Sequence, residues 1–505
     1  MRIWPLALLL ASAPALGQSS SSASSAGQPT AKPISLREAV ELSVKQNRVI
    51  RSADADVEIA AGNELSAEGV LDFEIDGKGS YTRNRSVSIP GAAFNQPASD
   101  NVHTEVSFTE PLSYGGRFGL RIAHDYNRTT TSGVIEGMTF STTTDAFSPT
   151  VQLTYFQPLL KGFGEANYLG QKRVNAAATD AATAALINTA SGVVRDTVQA
   201  YWELAYQEKE ADIRRSALNL AREQLRVTQA RLDVGVGAPT DLAEVRQTIA
   251  TREEDLLLSE LTLSERALDV RAIAGMSISA NDINLTPTDQ AAPRVTDVSL
   301  DQALAAANEK NPQILAIRAQ GKQARIAVEV NENGLLPELD LNASIGPLGN
   351  ANDFGDSMNQ LVNFDNYSIT AGLTLVAPIQ RRNAKGLVAA ARGQLHKTLI
   401  GEEDLRNQIA VAVARAVDLV KQTQKRLDVD AEAIQLGQVN LDAERARFDV
   451  GRSTNFDVLR RQDDLSQAQL RRIRAAADYM KAFAVLQALT GDLLPTYGIT
   501  ITPKR

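Results

Sequence analysis

The chain of 505 residues contains no cysteine, only three histidines and few aromatic residues, which make up 5% of it. Without cysteine there is no disulfide framework, no thiolate metal site and no lipid-modified N-terminal cysteine. His103, His124 and His396 are scattered, which argues against a metal or catalytic site built from histidine. The net charge of −8 argues against nucleic acid as the main partner.

No enzyme motif stands out either. The carboxylates lie mostly on helical stretches beside Lys and Arg, as on a solvated helix face. The one glycine-rich turn with phosphate-loop character, SYGGRFG from Ser113, lacks the Lys-Ser/Thr pair of a P-loop. We therefore expect a protein that is not an enzyme and that has no cofactor and no metal site.

The N-terminus has the features of an export signal. Arg2 precedes an apolar run, and Ala15-Leu16-Gly17 is a small-x-small cleavage pattern, so residues 1–17 are predicted to be a signal peptide and the Ser-rich residues 18–33 a flexible linker. The rest of the chain has no run of about 18 apolar residues, the length that a membrane helix needs. Export without such a helix leaves the periplasm, the exterior or a β-barrel in an outer membrane.

The remaining chain is an internal duplication. The first half contains ISLREAVELSVKQNRVI from Ile34 and RLDVGVGAPTDL from Arg231, and the second half contains VSLDQALAAANEKNPQI from Val298 and RFDVGRSTNFDV from Arg447. We place the first repeat at 34–290, the second at 291–494 and a C-terminal tail at 495–505.

Each repeat has the same predicted order of elements. A helical stretch of about 35 residues (35–69; 299–334) precedes alternating segments, a helix of about 65 residues (166–233; 384–449), a glycine turn and a helix of about 36 residues (241–275; 457–491). Apolar residues recur every seven positions in the long helices, which predicts coiled-coil packing. The members of this register are Ala211, Leu218, Leu225 and Leu232, then Leu427, Ile434, Leu441 and Phe448.

The segments between the helices alternate apolar and polar residues with a period of two, as strands do. The first repeat carries about 48 extra residues. We assign them to an additional hairpin over residues 102–122, with a tight turn at 112–117. Strands of around 10 residues with one apolar side suit the wall of a membrane barrel, although a soluble sandwich has the same alternation.

The duplicated order of elements, the two tip sequences DVGVGAPTDL and DVGRSTNFDVL, and the phrases QPLLKGFG from Gln157 and APIQRRNAKG from Ala377 resemble the TolC-like outer-membrane efflux protein family. The resemblance implies a mainly α fold with β: a long antiparallel coiled-coil helical tunnel below a trimeric outer-membrane β-barrel. Each protomer would contribute four strands, or six if the extra hairpin joins the barrel.

The same resemblance implies a homotrimer in the outer membrane, in contact with its lipid and with a large periplasmic portion. It implies a passive exit duct for small toxic compounds, supplied by a periplasmic adaptor and an inner-membrane transporter. A type I protein secretion duct is the alternative, and a secreted or periplasmic coiled-coil adhesin or adaptor is a more remote one.

The glycine turns at Gly235 and Gly451 would be the periplasmic tips, where the family closes its pore. The resemblance places the constriction and its gate at six residues: Asp457, Arg460, Arg452, Asp241, Thr240 and Phe448. Asp241 and Asp457 have a second explanation, because a carboxylate also stabilises the start of a helix. Adaptor docking is implied at the residues that flank the two turns: Arg231, Leu232, Val234, Gly235, Arg447, Val450 and Gly451. Heptad packing explains Arg231, Leu232 and Arg447 equally well.

Three positions of the second tip depart from the family pattern. Arg460 stands where an aspartate is usual, Phe448 where a tyrosine is usual, and Ser453 where the latch arginine is usual. Phe448 lacks the hydroxyl needed to bond Asp241 or Thr240. We therefore expect closure to rely on Arg452 and Arg460, paired with Asp241 or Asp457.

Overall fold

The computed structural model describes residues 32–87, 94–235, 239–278, 283–293 and 298–502. The predicted signal peptide and most of the predicted linker lie outside these residues. The linker was expected to reach residue 33, but Lys32 and Pro33 belong to a short strand. That strand pairs in parallel with residues 285–287 and so ties the start of the described chain to the connection between the two repeats.

Eleven α-helices and eight strands cover most of the described residues. The helices are α1 (Leu36–Gln46), α2 (Arg48–Glu68), α3 (Glu165–Tyr168), α4 (Gly170–Asp233), α5 (Pro239–Ala274), α6 (Leu300–Lys310), α7 (Pro312–Asn333), α8 (Phe354–Asn363), α9 (Arg382–Asp449), α10 (Asn455–Thr490) and α11 (Leu493–Thr496). The strands are β1 (Lys32–Ile34), β2 (Glu74–Arg85), β3 (Asn95–Pro111), β4 (Arg117–Ile135), β5 (Met138–Pro158), β6 (Leu285–Pro287), β7 (Glu338–Pro347) and β8 (Tyr367–Val376).

The helices stand in four columns side by side. The long helices α4 and α9, of 64 and 68 residues, are each one continuous column of roughly 100 Å. The column of α2 and α5 flanks α4, and the column of α7 and α10 lies between α4 and α9. The predicted register packs inward, because Ala211, Leu218 and Leu441 are all buried. One edge of this array is α9 and the other is the α2/α5 column.

The opening helix of each repeat was predicted to be continuous, and the structure corrects this. The break falls at Asn47 in the first repeat and at Asn311 in the second. Each asparagine accepts a hydrogen bond from the first turn of the next helix. Its amide donates at 2.8 Å to a carbonyl near the end of α5 or α10 in the same repeat, that of Ile273 or Leu489. The asparagine side chain therefore caps α2 or α7 and also bonds the bend to the adjacent α5 or α10.

The six longer strands form one antiparallel sheet in the order β2-β3-β4-β5-β7-β8. The extra hairpin, β3 and β4, is therefore an integral part of the sheet, to which the described chain contributes six strands. Its turn lies at the helical end, where the Gly164 amide donates to the Tyr114 carbonyl at 3.1 Å. This end of the sheet is continuous with the helices through the junction of β5 and α4.

The ends of α5 and α10 depend on glycines that no other residue can replace without strain. Gly275 has a φ of +70° and lies against α1, so that an added Cβ would be 2.8 Å from the Gln46 carbonyl oxygen. Gly491 occupies the matching place against Lys310 in the second repeat. Glycine is required at both positions because the neighbouring helix leaves no room for a Cβ and because the helix cap has a left-handed backbone.

We predict that Gly275→Ala lowers the free energy of unfolding by about 1–3 kcal/mol, because the new Cβ meets backbone in a left-handed conformation. Gly192→Ala is the matched control, since Gly192 lies inside α4 with open space at its Cβ. The control should be neutral or stabilise by about 0.5–1 kcal/mol. Thermal unfolding in detergent measures both, and equal midpoints for the two variants would contradict the prediction.

Candidate functional site

The two glycine turns form the free ends of the helical hairpins. Gly235 and Gly451 have φ values of +78° and +73°, which suit glycine and let the chain reverse at once. The valine before each glycine is the most exposed apolar residue of its tip: Val234 is 73% exposed and Val450 70%. Both tips therefore present a bare apolar side chain outside the packed seams.

Asp457 stabilises the start of α10. Its carboxylate accepts from the Thr454 hydroxyl at 2.7 Å and from the Thr454 amide at 3.3 Å, while the Asp457 amide donates back to the Thr454 hydroxyl. This is a reciprocal capping box. The hydrogen bonds from Thr454 hold the pKa of Asp457 below its ordinary value, with smaller contributions from the charges of Arg460 and Arg461. The second explanation offered for this residue, a helix start, is thus realised within one protomer.

The expected partners of Asp457 do not reach it within one described protomer. Neither Arg452 nor Arg460 forms an ion pair with its carboxylate there, because Thr454 occupies that carboxylate instead. Asp241 and Thr240 lie in the first turn of α5. Pairing of Arg452 or Arg460 with Asp241, or with an aspartate of another protomer, stays a prediction.

Phe448 contacts an arginine that we had placed among the docking residues. The Arg231 guanidinium lies over the Phe448 ring, 3.8 Å from its centre, and donates to the Phe448 carbonyl at 3.3 Å. It also approaches the Asp449 carboxylate at 3.8 Å. A cation–π contact of this kind suits a buried phenylalanine and needs no hydroxyl. It joins α4 of the first hairpin to α9 of the second.

A second cross-hairpin contact centres on Arg252, whose side chain is only 7% exposed. This arginine of α5 donates to the Ala217 carbonyl of α4 at 2.7 Å and to the Asp463 carboxylate of α10 at 2.7 Å. Sequence analysis missed it. The sequence did contain a signal, because Val245, Arg252 and Ser259 are spaced by seven residues. All three are buried in the structure, so this register of α5 includes a charged residue.

A third contact joins α4 to the first residue of α10. Gln224 donates to the Asn455 side-chain carbonyl, and the Thr228 hydroxyl donates to the same oxygen at 3.3 Å. We refer to the three cross-hairpin contacts together as the tip clamp, formed by Arg231, Gln224, Thr228 and Arg252 of the first hairpin with Phe448, Asp449, Asn455 and Asp463 of the second.

The remaining tip residues make local contacts. Arg447 pairs with Glu444 of its own helix at 3.4 Å, and the Ser453 hydroxyl donates to the same glutamate at 2.5 Å. Leu232 is half-buried in the predicted heptad register. The structure therefore separates the predicted docking residues into packed ones and the exposed turns around Gly235 and Gly451.

The sheet has one apolar face and one polar face. On the apolar face a rung of paired residues crosses β3, β4 and β5 at Val106, Ile122 and Val151. The residue beside each of them points the other way, and that face holds the ion pair of Glu105 with Arg121 at 2.6 Å. This alternation is that of a membrane barrel strand, apolar towards lipid and polar towards the lumen.

Aromatic residues border the apolar face at both ends. Phe108, Phe118 and Tyr155 lie near the helical end, and Tyr81, Tyr126 and Phe147 lie further out along the same strands. Phe118 and Tyr126 are eight residues apart on β4, so the band between them is roughly 20 Å tall once strand tilt is included. That matches the height of a lipid-facing belt between aromatic girdles.

The family of the chain follows from its match to the outer membrane efflux protein family, whose model covers residues 117–276 and 303–492. The chain belongs to this family. It is 27% identical over 350 residues to the outer membrane efflux protein BepC of Brucella suis, which covers 68% of this chain and 72% of that protein. It is 25% identical over 313 residues to the alkaline protease secretion protein AprF of Pseudomonas aeruginosa, covering 59% of this chain and 60% of that protein.

The fold has solved counterparts. The Campylobacter jejuni CmeC outer membrane channel superposes with a TM-score of 0.64 at 15% identity, covering 91% of this chain and 86% of that chain. The architecture is thus a TolC-like channel: a β-barrel part in the outer membrane and a helical extension in the periplasm. The protein is an efflux or secretion channel and not an enzyme. Among the helices of the described residues, none is both long and apolar enough to span a membrane.

We predict a pH dependence from the Asp457 capping box. Since its folded pKa is lowered, Asp457 stabilises the fold above the unfolded pKa near 4, and this contribution is lost as the pH falls through the folded pKa. The stability difference between wild type and Asp457→Asn should be constant from pH 7 to 5 and shrink below about pH 4.

Thermal unfolding of the protein in detergent across this range measures the difference. In a Thr454→Val background the hydroxyl donor is absent and the backbone amide remains, so the pH-dependent effect of Asp457→Asn should be smaller. An undiminished effect in that background would show that the Thr454 hydroxyl is not the main cause of the shift.

Proposed function

We propose that the protein is the homotrimeric outer-membrane exit duct of a tripartite efflux pump, passively conducting small toxic compounds delivered by a periplasmic adaptor and an inner-membrane transporter. One observation carries this proposal: a sheet with an apolar, lipid-facing side is joined to a helical extension, and the tip clamp holds the two tips of that extension together. The similarity to the efflux protein BepC favours small compounds as the cargo.

The two edges of the helical array support a ring of protomers. Val429 and Leu436 of α9 are exposed, spaced by seven and directed away from the buried register. On the opposite edge, Leu257, Leu258 and Leu261 of α5 are exposed in the same way. Two different apolar edges on one protomer fit a heterologous interface that closes into a ring.

The sheet supports the same assembly. Its outer strands β2 and β8 each have one edge without a strand partner in the described protomer. Unpaired backbone groups cost several kcal/mol each in lipid, so these edges need neighbours. Three copies of the six-stranded sheet would close a barrel of 18 strands, a size that leaves an aqueous lumen.

We predict that Val429→Glu combined with Leu436→Glu abolishes the trimer, because two carboxylates per interface would enter an apolar seam. Light scattering after size-exclusion chromatography in detergent gives the mass. Val234→Glu is the matched control, since Val234 is equally exposed but lies at a tip, and it should stay trimeric. A trimeric edge variant, or a monomeric wild type, would contradict the assembly.

The tip clamp supports a closed resting state. Its contacts join α4 and α5 to α9 and α10, so the two hairpins of one protomer cannot separate without breaking them. Arg252 is the strongest of these links because a buried guanidinium that loses its carboxylate and carbonyl partners pays a large desolvation penalty. Opening therefore requires a partner that binds the separated hairpins more tightly.

We predict that Arg231→Gln combined with Arg252→Gln raises the open probability or the conductance of channels in planar bilayers. Loss of charge-assisted contacts worth about 1.5–3 kcal/mol each would shift the closed-to-open ratio more than tenfold. Arg226→Gln is the control, because Arg226 pairs only with Glu223 of its own helix. Unchanged conductance in the double variant, or an equal rise in the control, would exclude the clamp as the gate.

The adaptor contact is proposed at the exposed tips. Val234, Gly235, Val450 and Gly451 form two similar turns that carry a bare valine each, whereas Arg231 and Arg447 are engaged in helix contacts. Two equivalent turns per protomer would offer an adaptor repeated, quasi-equivalent docking points. Protein secretion is the second candidate function, favoured by the similarity to the protease secretion protein AprF.

A further inference from the structure

The apolar face of the sheet ends in a cluster of arginines. Arg83 and Arg85 of β2 both contact the Asp100 carboxylate of β3, at 3.4 and 3.2 Å, and Arg128 of β4 contacts Asp145 of β5 at 2.7 Å. Three half-exposed guanidinium groups thus share two carboxylates. One positive charge remains uncompensated within this cluster, which lies beyond the outer aromatic border at the level of lipid headgroups.

Beneath this cluster, α8 covers part of the apolar face. The Phe354 ring packs edge-on against His124 at 5.5 Å and against Phe147 at 6.1 Å, and Leu361 is buried against the sheet. Between helix and strands lies a groove of about 470 Å³. Its apolar lining is Val106, Ile122, Val151, Phe354, Met358 and Leu361.

The groove also contains one unsatisfied polar atom. Nδ1 of His124 is buried and has no hydrogen-bond partner among the described residues. A buried ring nitrogen without a partner is costly, and an ester or hydroxyl oxygen of a ligand would satisfy it. The ring is also among the residues that line the groove.

The two features are spaced like the parts of one lipid. Arg128 and Ile122 are six residues apart on β4, which is about 20 Å along the strand and less along the membrane normal. Half the hydrocarbon thickness of a bilayer is about 15 Å. A lipid whose phosphate sits at the arginines therefore places an acyl chain at the depth of the groove.

We propose that the outer face of each protomer is a binding site for a phosphate-bearing membrane lipid. The phosphate binds Arg83, Arg85 and Arg128, and one acyl chain fills the groove beneath α8. Arginine is the residue best shaped for a phosphate, because its planar group donates two parallel hydrogen bonds. The site rests on the outer-membrane location of the sheet and is independent of the proposed cargo, trimer and gate.

The chemistry of the ligand is tested with three probes on delipidated protein in detergent, by native mass spectrometry. Dioleoylphosphatidylglycerol should bind at one molecule per protomer. Dioleoylglycerol, which has the chains without the phosphate, and glycerol 3-phosphate, which has the phosphate without chains, should both bind at least tenfold more weakly. Equal binding of dioleoylglycerol would overturn the role of the arginines, and equal binding of glycerol 3-phosphate would overturn the role of the groove.

The location is tested with paired variants. Arg85→Gln removes the uncompensated charge while Arg83 still pairs with Asp100, and it should weaken phosphatidylglycerol binding about fivefold. Lys78→Gln is its control, because Lys78 is on the same strand but on the polar face, beside Glu105. Equal weakening in both would mean that only net charge matters and would overturn the site.

Filling the groove gives a second, uncharged test. Val151→Trp should abolish binding, whereas Leu373→Trp, on the same apolar face but on β8 away from α8, should leave it unchanged. Far-UV circular dichroism and thermal midpoints verify that the variants fold. Wild-type binding in a folded Val151→Trp variant would overturn the proposal. None of these readouts measures conduction, so failure of the lipid site and failure of the exit-duct function are distinguished.

Discussion

The structure depends on one constraint: a helix of about 100 Å cannot bury its apolar stripe alone. Both long helices pack along a seven-residue register, α4 between two columns and α9 against one, and the register continues to the tip at Phe448. The short helices exist in pairs because only together do they reach the length of α4 and α9. Asn47 and Asn311 cap the start of α2 and α7, and each also bonds the end of α5 or α10, the other helix of its column. The apolar edges of α5 and α9 remain exposed in one copy of the chain, as the proposed ring requires.

Near the tips, the contacts between the two hairpins differ in kind from those along the rest of the helices. The buried residues of α4 are mostly apolar up to Ala221, whereas nearer the turns the two hairpins meet through Arg231 on Phe448 and Arg252 on Asp463. Apolar packing is tolerant of small shifts, whereas a buried arginine requires its partners in place. The buried charge of Arg252 therefore lies where the two hairpins contact each other. The clamp contacts must break before the two hairpins can separate.

In the sheet, successive side chains of each strand point to opposite faces, so the same strands present one polar face and one apolar face. The polar face carries Glu105 and Arg121 towards the lumen, and the apolar face carries Ile122 and its neighbours towards lipid. Charges reappear on the apolar face outside the two aromatic borders, for example at Arg128 beyond Tyr126. The extra hairpin widens this wall and provides the surface on which α8 rests.

Sequence reasoning reached the duplication, the long helices, the glycine turns and the alternating strands, because these depend on residue period and on local backbone preference. It could not place the helix breaks at Asn47 and Asn311, the Arg231–Phe448 stack or the position of α8. Arg231 and Phe448 are 217 residues apart, and Arg252 and Asp463 are 211 apart. Which faces of separate helices meet is decided by packing of the whole protomer, and no local pattern encodes it. The family pattern pointed to the tip, but only the packed structure showed which residues hold it together.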